Sequence, residues 1–296
     1  MGISQYIKEI GRGPRGSKPL TREQAADLFG QLLDGNVTDL EIGAFCLAMR
    51  IKGETPEEMC GFLGAAHSRM ALFPASDRPV IVLPSYNGAR KLPVLTPLLA
   101  LLLAREGLPV LLHGMRTEAR RTLASDVLLA LGVPALTAPE KIATGSVAHI
   151  ETGYLHAALA RLLKVREVVG LRNAGHSIVK LMNPCAGPAV VVTSYTHPEY
   201  YDMLQATFGA LHMTALLSRG LEGEVATDPR RTPRYDAFVA GVHQLLQEQQ
   251  PGTAGDVPGL PTEIDIDTTA RYTQDVLDGR LPVPPALAQQ VEHILH

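Results

Sequence analysis

Residues 80–107 read VIVLPSYNGARKLPVLTPLLALLLAREG. The opening VIVLP is apolar and β-branched, lacks a helical period and reads as a buried strand. LPVLTPLLALLLAREG, from Leu92, reads as a long apolar helix. A strand that breaks into a glycine-containing loop and then feeds a helix is where many enzymes cradle phosphate. Unpaired N–H groups and a partial positive charge collect at the helix start. Such loops use several glycines so that the backbone can approach the anion closely. In PSYNGARK, 84–91, there is only Gly88, and Arg90 and Lys91 follow it. The stretch defines a strand–loop–helix unit and leaves three readings of the loop: a working phosphate site, a ruined one, or one rebuilt for another anion.

Upstream, residues 1–72 carry helical patterns and no strand. Thr21 opens TREQAADLFGQLLDG with Gln24 three residues on, a capping box, and Gly35 closes it. DLEIGAFCLAMRIKG, from Asp39, repeats apolar positions at three- and four-residue intervals, and a third helix starts near Pro56 with Glu57 and Glu58 in its first turn. Downstream the chain alternates: a helix over 94–106, a strand in PVLLHG, a helix over 118–131, a strand in AVVVTSY (189–195), a helix in EYYDMLQATFGALHM, and a strand in ALLSRG (215–220). Such alternation predicts an α/β fold with a central, mostly parallel sheet. The expected organisation is a small helical domain, 1–72 with a contribution from about 172–184, and a larger α/β domain, 73–296. QEQQPGTAGDVPGLPTE, 247–263, reads as a Gly/Pro linker. A last helix begins near Pro284, and its apolar pattern is still running at His296, so the native chain is expected to continue.

The length, 296 residues, accommodates one large domain or two unequal ones, and 46% hydrophobic with 19% charged residues is a globular balance. The net charge of −3 excludes an all-round basic nucleic-acid binder but not a local basic groove. Trp is absent and aromatics make up 5%, so base stacking is at most a local device. Three scattered cysteines, Cys46, Cys60 and Cys185, form no CxxC pair and no disulfide framework. No apolar signal segment opens the chain, and the longest apolar run is too short to span a bilayer. The expectation is a cytoplasmic protein without a membrane partner.

Two segments concentrate charge. HAALARLLKVREVVGLRNAGHSIVK, 156–180, sets Arg161, Lys164, Arg166, Arg172 and Lys180 against one acid, Glu167, whereas a solvated face normally mixes signs. Arg230, Arg231 and Arg234 lie among prolines and read as ordinary surface charge. Arg90 and Lys91 either solvate their loop or extend an anion site. His113 has no second ligand at metal spacing and reads as structural or pocket-lining.

Three helices followed by a strand–glycine loop–helix resemble the anthranilate phosphoribosyltransferase family (glycosyltransferase family 3). LTREQAADLFGQLLDGNVTDLEIGAFCLAMRIKGETPEEMCGF is similar to its helical domain, and His113–Gly114, LRNAGHSIVKLMNP (171–184) and SRGLEGE (218–224) fall at its later motifs. The resemblance implies anion contacts from Ser85, Tyr86, Asn87, Gly88, Thr96, His113 and Gly114. It places Arg172 at the acceptor pocket, and it makes Glu222 and Glu224 weak candidates for magnesium ligands. It also implies a homodimer formed through the helical domain.

This chain departs from that family at the points where transfer chemistry is expected. Ser85-Tyr86-Asn87-Gly88-Ala89 stands where active members carry Gly-Thr-Gly-Gly-Asp, and Leu112 and Met115 replace a lysine and an asparagine. Ser and Tyr do not adopt positive-φ backbone cheaply. In these features the chain resembles a divergent bacterial branch described as nucleic-acid binding. The first expectation is therefore a binder of single- or double-stranded DNA, or of RNA, with no catalytic residue and no cofactor. Its contacts would be Arg90, Lys91, Arg161, Lys164, Arg166, Arg172 and Lys180. The second is a phosphoribosyltransferase using phosphoribosyl pyrophosphate and magnesium on an unidentified acceptor.

Overall fold

The structure, a computed structural model, describes residues 2–13, 15–253 and 256–296. Residues 254 and 255 of the expected linker lie outside the described residues.

The N-terminal part consists of α1 (Ser4–Ile10), α2 (Arg22–Leu33), α3 (Asp39–Lys52) and α4 (Pro56–His67). Capping boxes start three of these helices: Thr21 with Gln24, Thr38 with Glu41 and Thr55 with Glu58. Each box satisfies backbone donors that a helix start leaves unpaired. Phe29, Phe45 and Phe62 meet at the centre of the bundle, with ring centroids 5.0 to 6.2 Å apart. Glu58, fully buried, accepts from Leu20 N and Thr55 N and from Lys52 Nζ, so its charge is paired rather than stranded.

Among the described residues, the rest is built on an eight-stranded sheet with strand order β3-β4-β2-β1-β5-β6-β7-β8. The strands are β1 (Val80–Ser85), β2 (Val110–Gly114), β3 (Ala135–Leu136), β4 (Val147–Glu151), β5 (Ala189–Tyr195), β6 (Ala215–Arg219), β7 (Tyr235–Val239) and β8 (Val242–Gln247). Pairing is parallel from β3 through β6 and antiparallel for β6–β7 and β7–β8. β1 and β5 share the sheet in direct register, Val80 opposite Ala189 and Val82 opposite Val191, as the alternation predicts. α5 (Thr96–Arg105), α11 (Ile266–Leu277) and α12 (Pro285–Leu295) contribute to the core on one face, through Leu98, Tyr272 and Leu287 among others. Another core runs continuously from the helical bundle onto the sheet, joining Phe62 and Leu63 to Val82 and Val191.

Some elements differ from the sequence reading. The helix expected over 118–131 shrinks to α6 (Ala124–Ala130), and 115–123 is a loop that brings Arg121 to Asn87, just past β1. The β7–β8 hairpin and α11 had no counterpart in the strand–helix pattern. After the single turn α7 (Thr152–Leu155), α8 (Ala157–Val169) and the single turn α9 (Gly175–Ile178) carry the basic segment. α10 (Glu199–Ala210) follows β5. The sheet grows away from β1 in both directions, towards β2 and towards β5. The carboxyl ends of β1 and β5 therefore flank the crevice where open α/β sheets hold ligands.

Candidate functional site

The loop after β1 lies in that crevice, and its N–H groups are already occupied. A narrow finger between β6 and β7 turns back on itself, with Leu221 N donating to Ala226 O and Glu224 N to Leu221 O, each at 2.9 Å. Glu222 and Gly223 sit at its tip with φ of 55° and 86°. Successive positive-φ residues make the chain reverse tightly. The reversal aims two carboxylates at the β1 loop.

Glu224, buried, accepts from Asn87 N at 2.7 Å, Gly88 N at 2.8 Å, Ser85 Oγ at 2.6 Å and Thr96 Oγ1 at 3.0 Å. Glu222 accepts from Arg90 N at 2.6 Å and Lys91 N at 2.9 Å. The finger fits closely: a Cβ on Gly223 would stand 1.9 Å from Asn87 Nδ2. Lys180 Nζ donates to Gly223 O at 2.9 Å and holds the tip in place. The groups at Ser85, Asn87, Gly88 and Thr96 from which the resemblance implies anion contacts are thus engaged by Glu224 instead. These donors are satisfied inside the protein by charge-assisted bonds. The same oxygens would be needed to ligate magnesium, so the two glutamates as placed do not fit that ion.

Tyr86 and His113 point away from the loop's donors. Tyr86 Oη lies 2.8 Å from His113 Nδ1 and 2.8 Å from Thr152 Oγ1, all of them buried. Burial pushes His113 down to about 3 and raises the Tyr86 hydroxyl. This pair anchors the loop to the core, which corrects the expectation that either touches an anion. Gly114 closes β2 where a Cβ would meet Ser85 O at 1.9 Å, so close packing of the strand ends accounts for it.

The basic segment divides in two. Arg161 and Lys164 are exposed on α8, some 140–160° around the helix from Arg166 at about 100° per residue. They are not continuous with the cleft, contrary to expectation. Arg166, Arg172 and Lys180 do converge there, joined by Arg50 from α3 and by Arg121, which the sequence reading missed. Arg172 Nη2 donates to Asn87 Oδ1 at 2.7 Å, and Arg121 Nη1 donates to Asn87 O at 3.0 Å. Arg166 pairs with Glu118, whose carboxyl is held low: burial opposes this, but Arg166, Arg121 and Arg172 outweigh it.

Burial, together with Arg166, Arg121 and Arg50, lowers the Arg172 guanidinium against the pull of Glu118. Burial pushes His176 down to about 3, helped by Arg172, Arg166 and Lys180. Burial likewise brings Lys180 down to about 8, with Glu224 opposing and Arg172 adding to the shift. These shifts record cations crowded in a partly dry place, an environment that favours an anion. Arg50, Arg172 and Lys180 line a cavity of about 470 Å³ between the bundle and the ends of β5 and α10, together with His176, Thr193 and Tyr200.

A helical bundle packed on this sheet defines the class: the anthranilate phosphoribosyltransferase fold. The structure matches the anthranilate phosphoribosyltransferase of Thermus thermophilus with a TM-score of 0.72 at 22% identity, over 98% of this chain and 85% of that one. It matches the Saccharomyces cerevisiae enzyme in complex with PRPP and Mg with a TM-score of 0.68 at 14% identity, over 96% of this chain and 83% of that one. Residues 4–70 match the family model described as glycosyl transferase family, helical bundle domain. The chain is 31% identical to an anthranilate phosphoribosyltransferase of Methylobacterium sp. over 93% of its own length and 82% of the relative's. It is 37% identical to the uncharacterized protein YbiB of Escherichia coli K12, over 98% of this chain and 92% of that protein. The chain belongs to the anthranilate phosphoribosyltransferase family, in the divergent branch that includes YbiB.

Proposed function

We propose that this protein binds the phosphate backbone of nucleic acid in the cleft between bundle and sheet, without sequence preference. The observation that carries the reading is the convergence of Arg50, Arg121, Arg166, Arg172 and Lys180 on one cleft, while the loop that would hold a pyrophosphate is filled by Glu224. Cations placed this way neutralise phosphates and carry no base readout. The proposed setting is cytoplasmic, and among the described residues no helix is long and apolar enough to cross a membrane. The proposed state is a homodimer. Leu40, Leu47 and Ile51, spaced along one face of α3, are 83%, 47% and 61% exposed, an apolar stripe on the bundle suited to a second copy.

The names of the relatives favour a second reading more than the first: phosphoribosyl transfer from phosphoribosyl pyrophosphate. In this chain that reaction requires Glu224 to leave Asn87 N and Gly88 N so that the leaving group can take its place. The two readings separate in one set of measurements, a titration of DNA over several salt concentrations beside an assay of pyrophosphate release with magnesium and anthranilate. Binding reads out as an affinity that falls steeply with salt. Replacing Arg166 and Arg172 by alanine should lower the log–log slope by about 1.4 to 1.8, from 0.7 to 0.9 per phosphate contact. Turnover by the wild-type protein, with no DNA binding at low salt, would overturn the first reading in favour of the second.

A further inference from the structure

A second cavity, of about 410 Å³, lies beyond the finger and is lined by Lys91, Arg219, Arg230 and Arg231 among others. Arg230 and Arg231 are surface charges, as the sequence suggested, and they line the rim of this open cavity. Asp228 is shared between them, at 2.9 Å from Arg230 and 3.5 Å from Arg231, so a single carboxylate answers two guanidiniums. Glu222, the other acid in the lining, is engaged by the backbone N–H groups of Arg90 and Lys91. The side chains of Lys91 and Arg219 are exposed and lie outside the ion pairs of the described residues. The cavity therefore carries a net positive charge.

Its position relates it to the first cavity. Thr196 lines both. Arg219 ends β6 directly opposite Tyr195, the last residue of β5, so it stands beside the point where the two cavities meet. Both open at the carboxyl ends of the parallel strands, the side of an open α/β sheet that receives ligands. Each volume is in the range that takes one drug-sized ligand, about a single nucleotide unit, and is too small to enclose a duplex. Tyr200 in the first cavity offers a ring on which one base can stack.

We infer that the second cavity is a further phosphate subsite for the same ligand: a single strand runs from Arg172 and Lys180 across Thr196 to Lys91 and Arg219. This rests on the proposed nucleic-acid reading and narrows it to single strands with a two-cavity footprint.

The test uses labelled oligothymidylates of about 4 and about 16 nucleotides, which bracket the site sizes of single-strand binding domains, with anisotropy measured over a salt series. The wild-type protein should bind the long strand more tightly and with a steeper slope. The double variant K91A/R219A should lower the long-strand slope by about 1.4, two contacts at 0.7 each for a single strand, and leave the short strand nearly unchanged. Both side chains are exposed, so folding should hold; a melting curve checks this, and R219E alone is a second variant. A long-strand slope equal to that of the wild type in both variants overturns the second subsite while leaving the first. Equal binding of a 16-base-pair duplex overturns the single-strand assignment. No binding of either strand by the wild type at low salt sinks the underlying reading as well.

Discussion

Replacing Glu224 by alanine should both loosen the protein and open the β1 loop to external anions. The side chain is buried and accepts from two backbone N–H groups and two hydroxyls, all within 2.6 to 3.0 Å. Removing one partner from a buried charged network costs about 3–5 kcal/mol, chiefly because the remaining groups lose their partner. Domains of this kind have about 5–15 kcal/mol in total, so the variant should fold with much of its margin gone. At roughly 2 °C per kcal/mol for a chain of this size, the melting temperature should drop by about 6–10 °C. The isosteric change E224Q keeps one oxygen for the N–H pair and should fall between the two.

The distinguishing measurement is rescue. The emptied cradle has the donors of an oxyanion site, so inorganic phosphate or sulfate should stabilise E224A through mass action, by about 2.7 kcal/mol at a hundredfold excess over Kd. Thermal melts with phosphate, against sodium chloride at matched ionic strength, read this directly. The wild-type protein, its donors already bound to a carboxylate, should gain little. If E224A melts with the wild type, or if phosphate raises both by the same increment, Glu224 does not close this site.

His176 should make stability depend on acid pH. Its folded value near 3 lies below the ordinary 6.5 because burial and the cations Arg172, Arg166 and Lys180 oppose its charge. Between those values the unfolded chain binds the extra proton, so stability falls as pH drops from 6.5 towards 3. H176Q should flatten that part of a plot of melting temperature against pH, and an unchanged slope would count against the assignment. His113, also near 3, and the lowered His67 and His156 should contribute to the residual slope. On the bundle, Ile51→Glu should convert the proposed dimer to a monomer in sedimentation without lowering the melting temperature of the monomer. An unaltered mass at matched concentration would remove α3 from the interface.

The parts legible in the sequence were those specified by neighbouring residues. The capping box at Thr21, the acidic first turn after Pro56 and the β-branched runs of β1 and β5 carry their own local preference, and the structure forms these elements there. α11 had a local signal that the sequence reading passed over: Asp265 caps it by accepting from Thr268 N. The β7–β8 hairpin was harder, because its turn uses Ala240 at φ 48° before Gly241, and alanine at positive φ is not a turn signature. The central feature of the site had no local signal at all. Glu224 is 136 to 139 residues from Ser85, Asn87 and Gly88, and only the neighbouring position of β1 and the β6–β7 finger in space unites them. The same residue types, two acids in a glycine-containing turn, serve a metal site or a loop plug equally well. Which they serve depends on where the finger points, and Gly223 settles that by packing against Asn87 with its carbonyl held by Lys180. A loop motif therefore cannot be read as a ligand site until the partners of its N–H groups are known. Here those partners belong to the protein itself, and that moves the candidate anion contacts from the loop to the cations around Arg172.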